Sequence, residues 1–332
     1  MFHFTRRDFL RTTGALALAP SIARAQQPLT VITPFGFIVD FIDLLNAQSG
    51  GHYKANGFDA KVIGGTGSAT AIQQLIAGQA KFTRSAGIDL MKAAASQDLP
   101  LVSIGVLYQG SNFHMISHRL KPIQTAEDLR GKKIGVVSIG GATENFLDLM
   151  LAAANIKRED VSREVVGNNA GALQFVRQGR IDGFIASVNV VATLRAQKED
   201  IEVFSTDKYA PMPSQVWVTL QQTIEREPET VLRFCKAMRG SVTQLVNEPF
   251  GPILDRVAKD FEIPGIRNRD GVVQTFTAMK ELWLSQGREN LMRNVPKLWQ
   301  QGADALARAN IARVKNVQAL YTNRFIDEAL KA

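Results

Sequence analysis

Phe58-Asp59-Ala60-Lys61-Val62-Ile63 runs into Gly64-Gly65-Thr66-Gly67-Ser68, after which Ala69, Ile72, Leu75 and Ile76 recur on one face. The alternation ending at Ile63 reads as a strand, the glycines as a tight turn, and the wider spacing as a helix. Working outward, Leu29 to Thr33 reads as a buried strand. Pro34-Phe35-Gly36-Phe37 turns the chain, and Ile38 to Ala47 reads as a helix. Downstream, Lys81 to Arg84 and Leu101 to Leu107 read as strands around a helix from Ile88. A second set begins near Ile123. Thr125-Ala126-Glu127-Asp128 reads as a helix start with an acidic first turn. Ile134 to Val137 is a strand, and Ser138-Ile139-Gly140-Gly141-Ala142-Thr143 leads into a helix carrying Phe146, Leu147, Met150 and Leu151. Val161 to Val166, Ile181 to Ile185 and Ile201 to Phe204 read as further strands, and the chain is mostly helical after Pro228. Strands alternating with helices of this length predict an α/β fold with parallel-rich sheets.

The composition agrees. The chain has 332 residues, 45% hydrophobic and 21% charged, with a formal charge of +8. Those values exclude a fibre, a coiled coil and a disordered tail. No apolar run reaches the roughly 18 residues of a membrane span. Thr5-Arg6-Arg7-Asp8-Phe9-Leu10-Arg11, an apolar run from Ala15 to Ala19, and Ala23-Arg24-Ala25 together resemble a twin-arginine export signal spanning residues 1–25, which predicts a periplasmic protein. Cleavage after Ala25 would remove four arginines and leave a mild positive excess with no long basic run, so no nucleic-acid partner is expected. Cys235 is the single cysteine. It falls on the apolar face of Val231, Phe234, Cys235, Met238 and Val242, as a packing thiol does.

In open parallel sheets a ligand crevice lies beyond the carboxyl ends of the strands. A helix starting there presents free backbone N–H groups and a partial positive charge. Both βα sets put a glycine-rich, hydroxyl-bearing turn at that position. Thr66, Gly67 and Ser68 in one, and Ser138, Gly140, Gly141 and Thr143 in the other, are candidate ligand donors; the alternative for the hydroxyls is N-capping. Asn168 and Asn169 are ligand amides or turn residues. Arg84 ends a strand on the crevice side, with Ser85 beside it. Its guanidinium is a candidate fork for a carboxylate or sulfonate, or else one half of a salt bridge at the cleft rim. Phe35, Phe37 and Tyr108 are candidates for stacking on a ring, or core. Asn189 completes the set. His114 and His118 flank a strand-like run, which is the wrong geometry for an i,i+4 metal pair, so no metal is expected. Gly65 to Thr70 lacks the setting of a dinucleotide turn. Trp217, Trp283 and Trp299 read as packing residues.

Several segments, in order across residues 29–240, resemble one family. They are Gly51-His52-Tyr53-Lys54-Ala55-Asn56-Gly57-Phe58-Asp59-Ala60, the Gly64 to Ser68 turn, Ile76-Ala77-Gly78-Gln79-Ala80-Lys81-Phe82, Asp128-Leu129-Arg130-Gly131-Lys132-Lys133-Ile134-Gly135-Val136 and Gln178-Gly179-Arg180-Ile181-Asp182-Gly183. Lys81 departs from the acid usual at its position. The family is the periplasmic substrate-binding proteins of ABC importers for nitrate, taurine, alkanesulfonates and thiamine pyrimidine precursors. The resemblance implies a two-lobed, type II-like fold that closes about a hinge. Residues 28–110 and 207–332 would form lobe I with C-terminal helices packed back onto it, and residues 112–206 would form lobe II. Crossings near Gly110 and Thr206 would form the hinge. It implies a small-molecule ligand (a sulfonate, carboxylate or pyrimidine-like solute) and an ABC permease of the inner membrane as partner. A monomer is expected, with no cofactor and no enzymatic activity. The iron-linked, cysteine-rich segment of the pyrimidine-synthesising branch is missing from the sequence. A sensing module that feeds a membrane signalling partner is the alternative.

Overall fold

The computed structural model describes residues 26–97 and 100–331, so the proposed export signal lies outside the described residues. Strands β1 (Gln27–Thr33), β2 (Phe58–Gly64), β3 (Phe82–Ala86) and β4 (Leu101–Tyr108) alternate with helices α1 (Ile42–Ser49), α2 (His52–Ala55), α3 (Ser68–Ile76) and α4 (Gly87–Gln97). Then come β5 (Phe113–His118), β6 (Lys133–Val136), α5 (Ala142–Ala153), β7 (Ser162–Val165), α6 (Ala172–Arg177), β8 (Gly183–Ser187), α7 (Val188–Ala196) and β9 (Ile201–Ser205). The chain returns through β10 (Gln215–Leu220) and ends in α8 (Gln221–Arg226), α9 (Pro228–Asn247), α10 (Phe250–Asp260), α11 (Arg269–Trp283), α12 (Pro296–Arg308) and α13 (Arg324–Lys331).

Two five-stranded sheets result, ordered β2-β1-β3-β10-β4 and β7-β6-β8-β5-β9. Each is parallel except for one inserted strand. β10 runs antiparallel to β3 and β4, and β5 runs antiparallel to β8 and β9. Both inserted strands adjoin a crossing between the lobes, so their direction follows from the chain passing from one sheet to the other. The sequence shows β10 poorly: every residue from Gln215 to Leu220 is buried, and no alternation marks the run. Two helix readings shift. The segment from Ile38 opens as a single 3-10 turn, Val39–Phe41, before α1 begins. Thr125 to Asp128 yields only a 3-10 turn, Glu127–Leu129. There the Asp128 carboxylate accepts from the Gln124 and Thr125 N–H groups, and Gly131 at φ +70° ends the turn.

The C-terminal helices cover the first sheet. Val231, Phe234, Cys235, Met238 and Val242 of α9 bury one continuous stripe against Tyr53, Phe58 and Phe82. Phe82 and Phe234 stack with centroids 4.0 Å apart. Cys235 is fully buried in this layer, and burial pushes its thiol up. α11 does more than cover lobe I: it also lies against α7 of the second lobe, and Val188 joins the same apolar cluster as Val272 and Phe276.

The two crossings run side by side. Ser111 Oγ and Thr206 Oγ1 lie 2.6 Å apart, the Ser111 N–H donates to Asp207 Oδ1 at 2.8 Å, and Thr206 Oγ1 donates to the Phe113 carbonyl at 3.1 Å. Ser214 Oγ donates to Asn112 Oδ1 at 2.6 Å and accepts from the Asn112 N–H. A Cβ at Gly110 would stand 2.8 Å from Asp207 Oδ2, so a side chain there would require the Asp207 carboxylate to shift. Side chains satisfy the backbone here in place of a ladder.

Candidate functional site

The two glycine turns, one in each lobe, come together: Gly67 approaches Ser138, and Asn145 at the start of α5 bonds to Asp89. In lobe I the turns after β1 and β2 pack directly together. A Cβ at Gly65 would fall 2.4 Å from the Thr33 carbonyl, and one at Gly64 would fall 2.9 Å from Gly36 Cα. These two glycines therefore serve close approach within the protein. Phe35 pairs with Thr66 as an isolated bridge. Gly67 faces lobe II, where a Cβ would lie 3.5 Å from Ser138 Oγ. Gly67 is the N-cap of α3 with no side-chain cap bond, and Ser68 is fully buried with its hydroxyl unpartnered. Capping is thus not the role of Ser68, and Thr66 is exposed at the rim.

In lobe II, Gly140 takes φ +75°, and its N–H donates to Glu144 Oε2 at 2.6 Å. A Cβ at Gly141 would strike Ser138 Oγ at 2.4 Å. Thr143 Oγ1 accepts from the Val137 N–H at 2.9 Å, which ties the turn to the start of α5. Asn168 brackets Ser187 by accepting its N–H at 3.0 Å and donating to its Oγ at 3.1 Å. Asn169 donates to the Val166 carbonyl within its own turn. Asn189, in the first turn of α7, gives its carbonyl to Thr193. Ser85 is buried and donates to the Ala86 carbonyl.

Arg84 stands fully buried, bonded through Nη1 to Asp43 Oδ1. The second Asp43 oxygen accepts from Trp217 Nε1 at 2.9 Å. The guanidinium carbon is 5.5 Å from the ring centres of both Phe41 and Tyr108. Asp43 and two aromatic rings thus surround part of the fork, while its Nε has no partner. Phe37 packs on Phe261 with centroids 4.9 Å apart, at the border of the lobe I core. Tyr108 is fully buried, edge-on to Trp283, and its hydroxyl is unpartnered.

The sequence reading passed over the acids. Asp40, Asp43 and Asn46 are all buried at a spacing of three on the segment that holds α1. Three polar residues in step within an otherwise apolar stretch were the available signal. Asp40 lies by the Ser187 hydroxyl of the other lobe. Burial pushes its carboxyl up to about 6, against the pull of Ser187 and Arg84. Asp89, in the first turn of α4, accepts from the Asn145 amide of lobe II at 2.6 Å. Lys92 reaches the carbonyl oxygen of that same amide. Burial pushes the Asp89 carboxyl up to about 7, while Asn145, Lys92, the Ser68 hydroxyl and the Ala142 N–H pull it back. Asp40, Ser68, Asp89 and Tyr108 each keep a buried polar atom without a partner, as do Gln215 and Trp283. His114 lies in β5 with Nδ1 unpartnered, and burial holds it down at about 4.

A protein family model described as NMT1/THI5 like matches residues 38–251. No curated protein matches by sequence. Solved structures do match. A protein of Bordetella bronchiseptica RB50 is 19% identical over 92% of this chain and 98% of its own, with a TM-score of 0.72. The periplasmic nitrate-binding protein NrtA from Synechocystis PCC 6803 is 13% identical over 92% and 89%, with a TM-score of 0.65. The alkanesulfonate-binding protein SsuA from Xanthomonas axonopodis pv. citri, bound to MOPS, is 13% identical over 92% and 99%, with a TM-score of 0.64. At these identities the likeness is one of fold: two lobes, two mixed sheets with flanking helices, and a largely helical C-terminal region, as in periplasmic binding proteins.

Proposed function

The chain belongs to the NMT1/THI5-like family, and from that premise we propose that it is the solute-binding component of an ABC importer, which captures one small organic solute between its lobes. The observation that carries this reading is a set of buried polar atoms, Asp40 Oδ1, Ser68 Oγ, Asp89 Oδ2 and Tyr108 Oη, none of which forms a hydrogen bond of normal geometry, although Ser187 lies near Asp40, Ser68 near Asp89 and Trp283 near Tyr108. Buried polar groups in proteins are almost always satisfied, and a solute held between the lobes would satisfy these. Residues 28–110 with 207–332 act as lobe I, residues 112–206 act as lobe II, and the paired crossings act as the hinge. Closure presents a changed surface to a permease. The Thr5 to Ala25 segment supports export to the periplasm. The reading assigns no reaction and no cofactor. The one cysteine is buried with its thiol kept protonated, which suits packing and not nucleophilic chemistry.

A thermal-shift screen of the refolded chain against sulfonates, nitrate, carboxylates, amines and pyrimidines tests the reading. A solute at ~1,000 times its Kd adds ~4 kcal/mol. That raises the Tm by roughly 2–4 °C per kcal/mol in a protein of this size. A flat response across all classes would count against solute capture.

A further inference from the structure

The neighbours that bind nitrate and alkanesulfonate invite the expectation of an anion here, and the charges inside this cleft oppose it. Arg84 is spent on Asp43, and Asp43 is completed by Trp217. The starts of α3 and α5, where an anion would be drawn, converge on the protein's own Asp89: Ser68 and the Ala142 N–H both act on its carboxylate, and Asn145 and Lys92 complete the surround. A side-chain carboxylate thus already occupies the position favourable to negative charge. A second carboxylate, Asp40, stands by Ser187 of the opposite lobe with Oδ1 unpartnered; its cation neighbour Arg84 is bonded to Asp43 and reaches Asp40 only at the backbone carbonyl. Gln215 Oε1 is likewise an acceptor without a partner, and Asp89 Oδ2 forms no bond of normal geometry although the Ser68 hydroxyl and the Ala142 N–H lie close to that carboxylate; Asp40, Asp89 and Gln215 are all more than nine-tenths buried.

Resting on the solute-capture reading, we propose that Asp40 and Asp89 set the charge selectivity of the cleft, so that it admits a solute bearing a cationic nitrogen, an ammonium or amidinium, and turns away sulfonates, carboxylates and nitrate. Such a group donates several N–H bonds to the waiting acceptors and adds positive charge beside acids whose cation neighbours, Arg84 and Lys92, are bonded to Asp43 and Asn145 instead. An anion would meet two carboxylates already in place, with only the unpartnered Nε of Arg84, a guanidinium already paired to Asp43, to receive it.

Matched probes test this by calorimetric titration of the full chain at pH 8, where both acids are ionised: benzylamine and benzamidine against benzenesulfonate and benzoate, and butylamine against butanesulfonate. The expectation is that the cations bind at least tenfold more tightly than their anionic counterparts. Asp89→Asn keeps shape and hydrogen bonding while removing the charge, and Asp40→Asn does the same at the other acid. Each should weaken cation binding tenfold or more. Asp89→Asn should also gain sulfonate binding, because the two helix starts and Lys92 are freed. A thermal melt of each variant confirms that it is folded. Tight sulfonate binding by the wild type, unchanged in Asp89→Asn, overturns the charge assignment and leaves solute capture standing. If no probe of either charge binds, solute capture and this inference fall together.

Discussion

Arg84 shows how a single residue changes meaning between sequence and structure. From the sequence, an arginine closing a strand at the crevice reads as a fork for an anion or as half of a salt bridge at the cleft rim. The structure pairs it instead in the interior, where both side chains are buried. Its partner Asp43 is forty-one residues earlier, in a segment read only as a helix. Removing one member of a fully buried pair leaves the other uncompensated, so Arg84→Ala is expected to cost about 3–5 kcal/mol in chemical denaturation. Unchanged stability with lost affinity would return the guanidinium to the ligand. Asp89 gives a pH signature. Its folded-state carboxyl, at about 7, is above the ordinary 3.8, so the folded protein holds that proton more tightly than the unfolded chain. Its contribution to stability therefore declines as pH rises from about 4 through about 7 and is level above. Asp89→Asn should flatten that limb and be the more stable protein at pH 8, by up to ~4 kcal/mol. Parallel stability–pH curves for the two proteins would contradict this.

Among the elements, the βα units were the most legible part. Strand alternation and helical spacing located β1 to β4 and β6 to β9 within a few residues, because each unit is half-buried or lies between clear turns. The glycine loops were legible as turns but not in purpose. Gly64 and Gly65 permit contact with the neighbouring turn, and only Gly67 looks across the cleft. Gly65→Ala drives a methyl into the Thr33 carbonyl, and an overpacked site of this kind costs ~1–3 kcal/mol. A denaturation midpoint equal to wild type would show that the loop yields freely. What the sequence concealed was long-range. β10 pairs between strands more than a hundred residues upstream, and the Asp89–Asn145 contact joins helices of different lobes. No local pattern encodes such meetings.

At the scale of the whole molecule, two sheets of matching order meet through paired crossings whose side chains bond one another. The lobes also meet beyond the crossings: Gly67 lies by Ser138, Asp40 by Ser187, Asp89 and Lys92 by Asn145, α11 against α7, and α4 and α12 against α5. On the solute-capture reading, these are the contacts that opening about the hinge would break. Two βα sets were legible in the sequence and the family resemblance supplied their two-lobed arrangement, whereas the buried acids Asp40 and Asp89 were not legible, because they lie on packing faces. The most direct test places spin labels on the two facing turns, at Thr66→Cys and Ile139→Cys, both exposed positions. Cys235 is buried and leaves the labelling clean. Electron–electron distance measurement on the refolded chain should then give a long or broad distribution that collapses to one short distance on saturation with a solute found in the thermal screen. A distance that stays the same with and without that solute would contradict capture by closure of the two lobes.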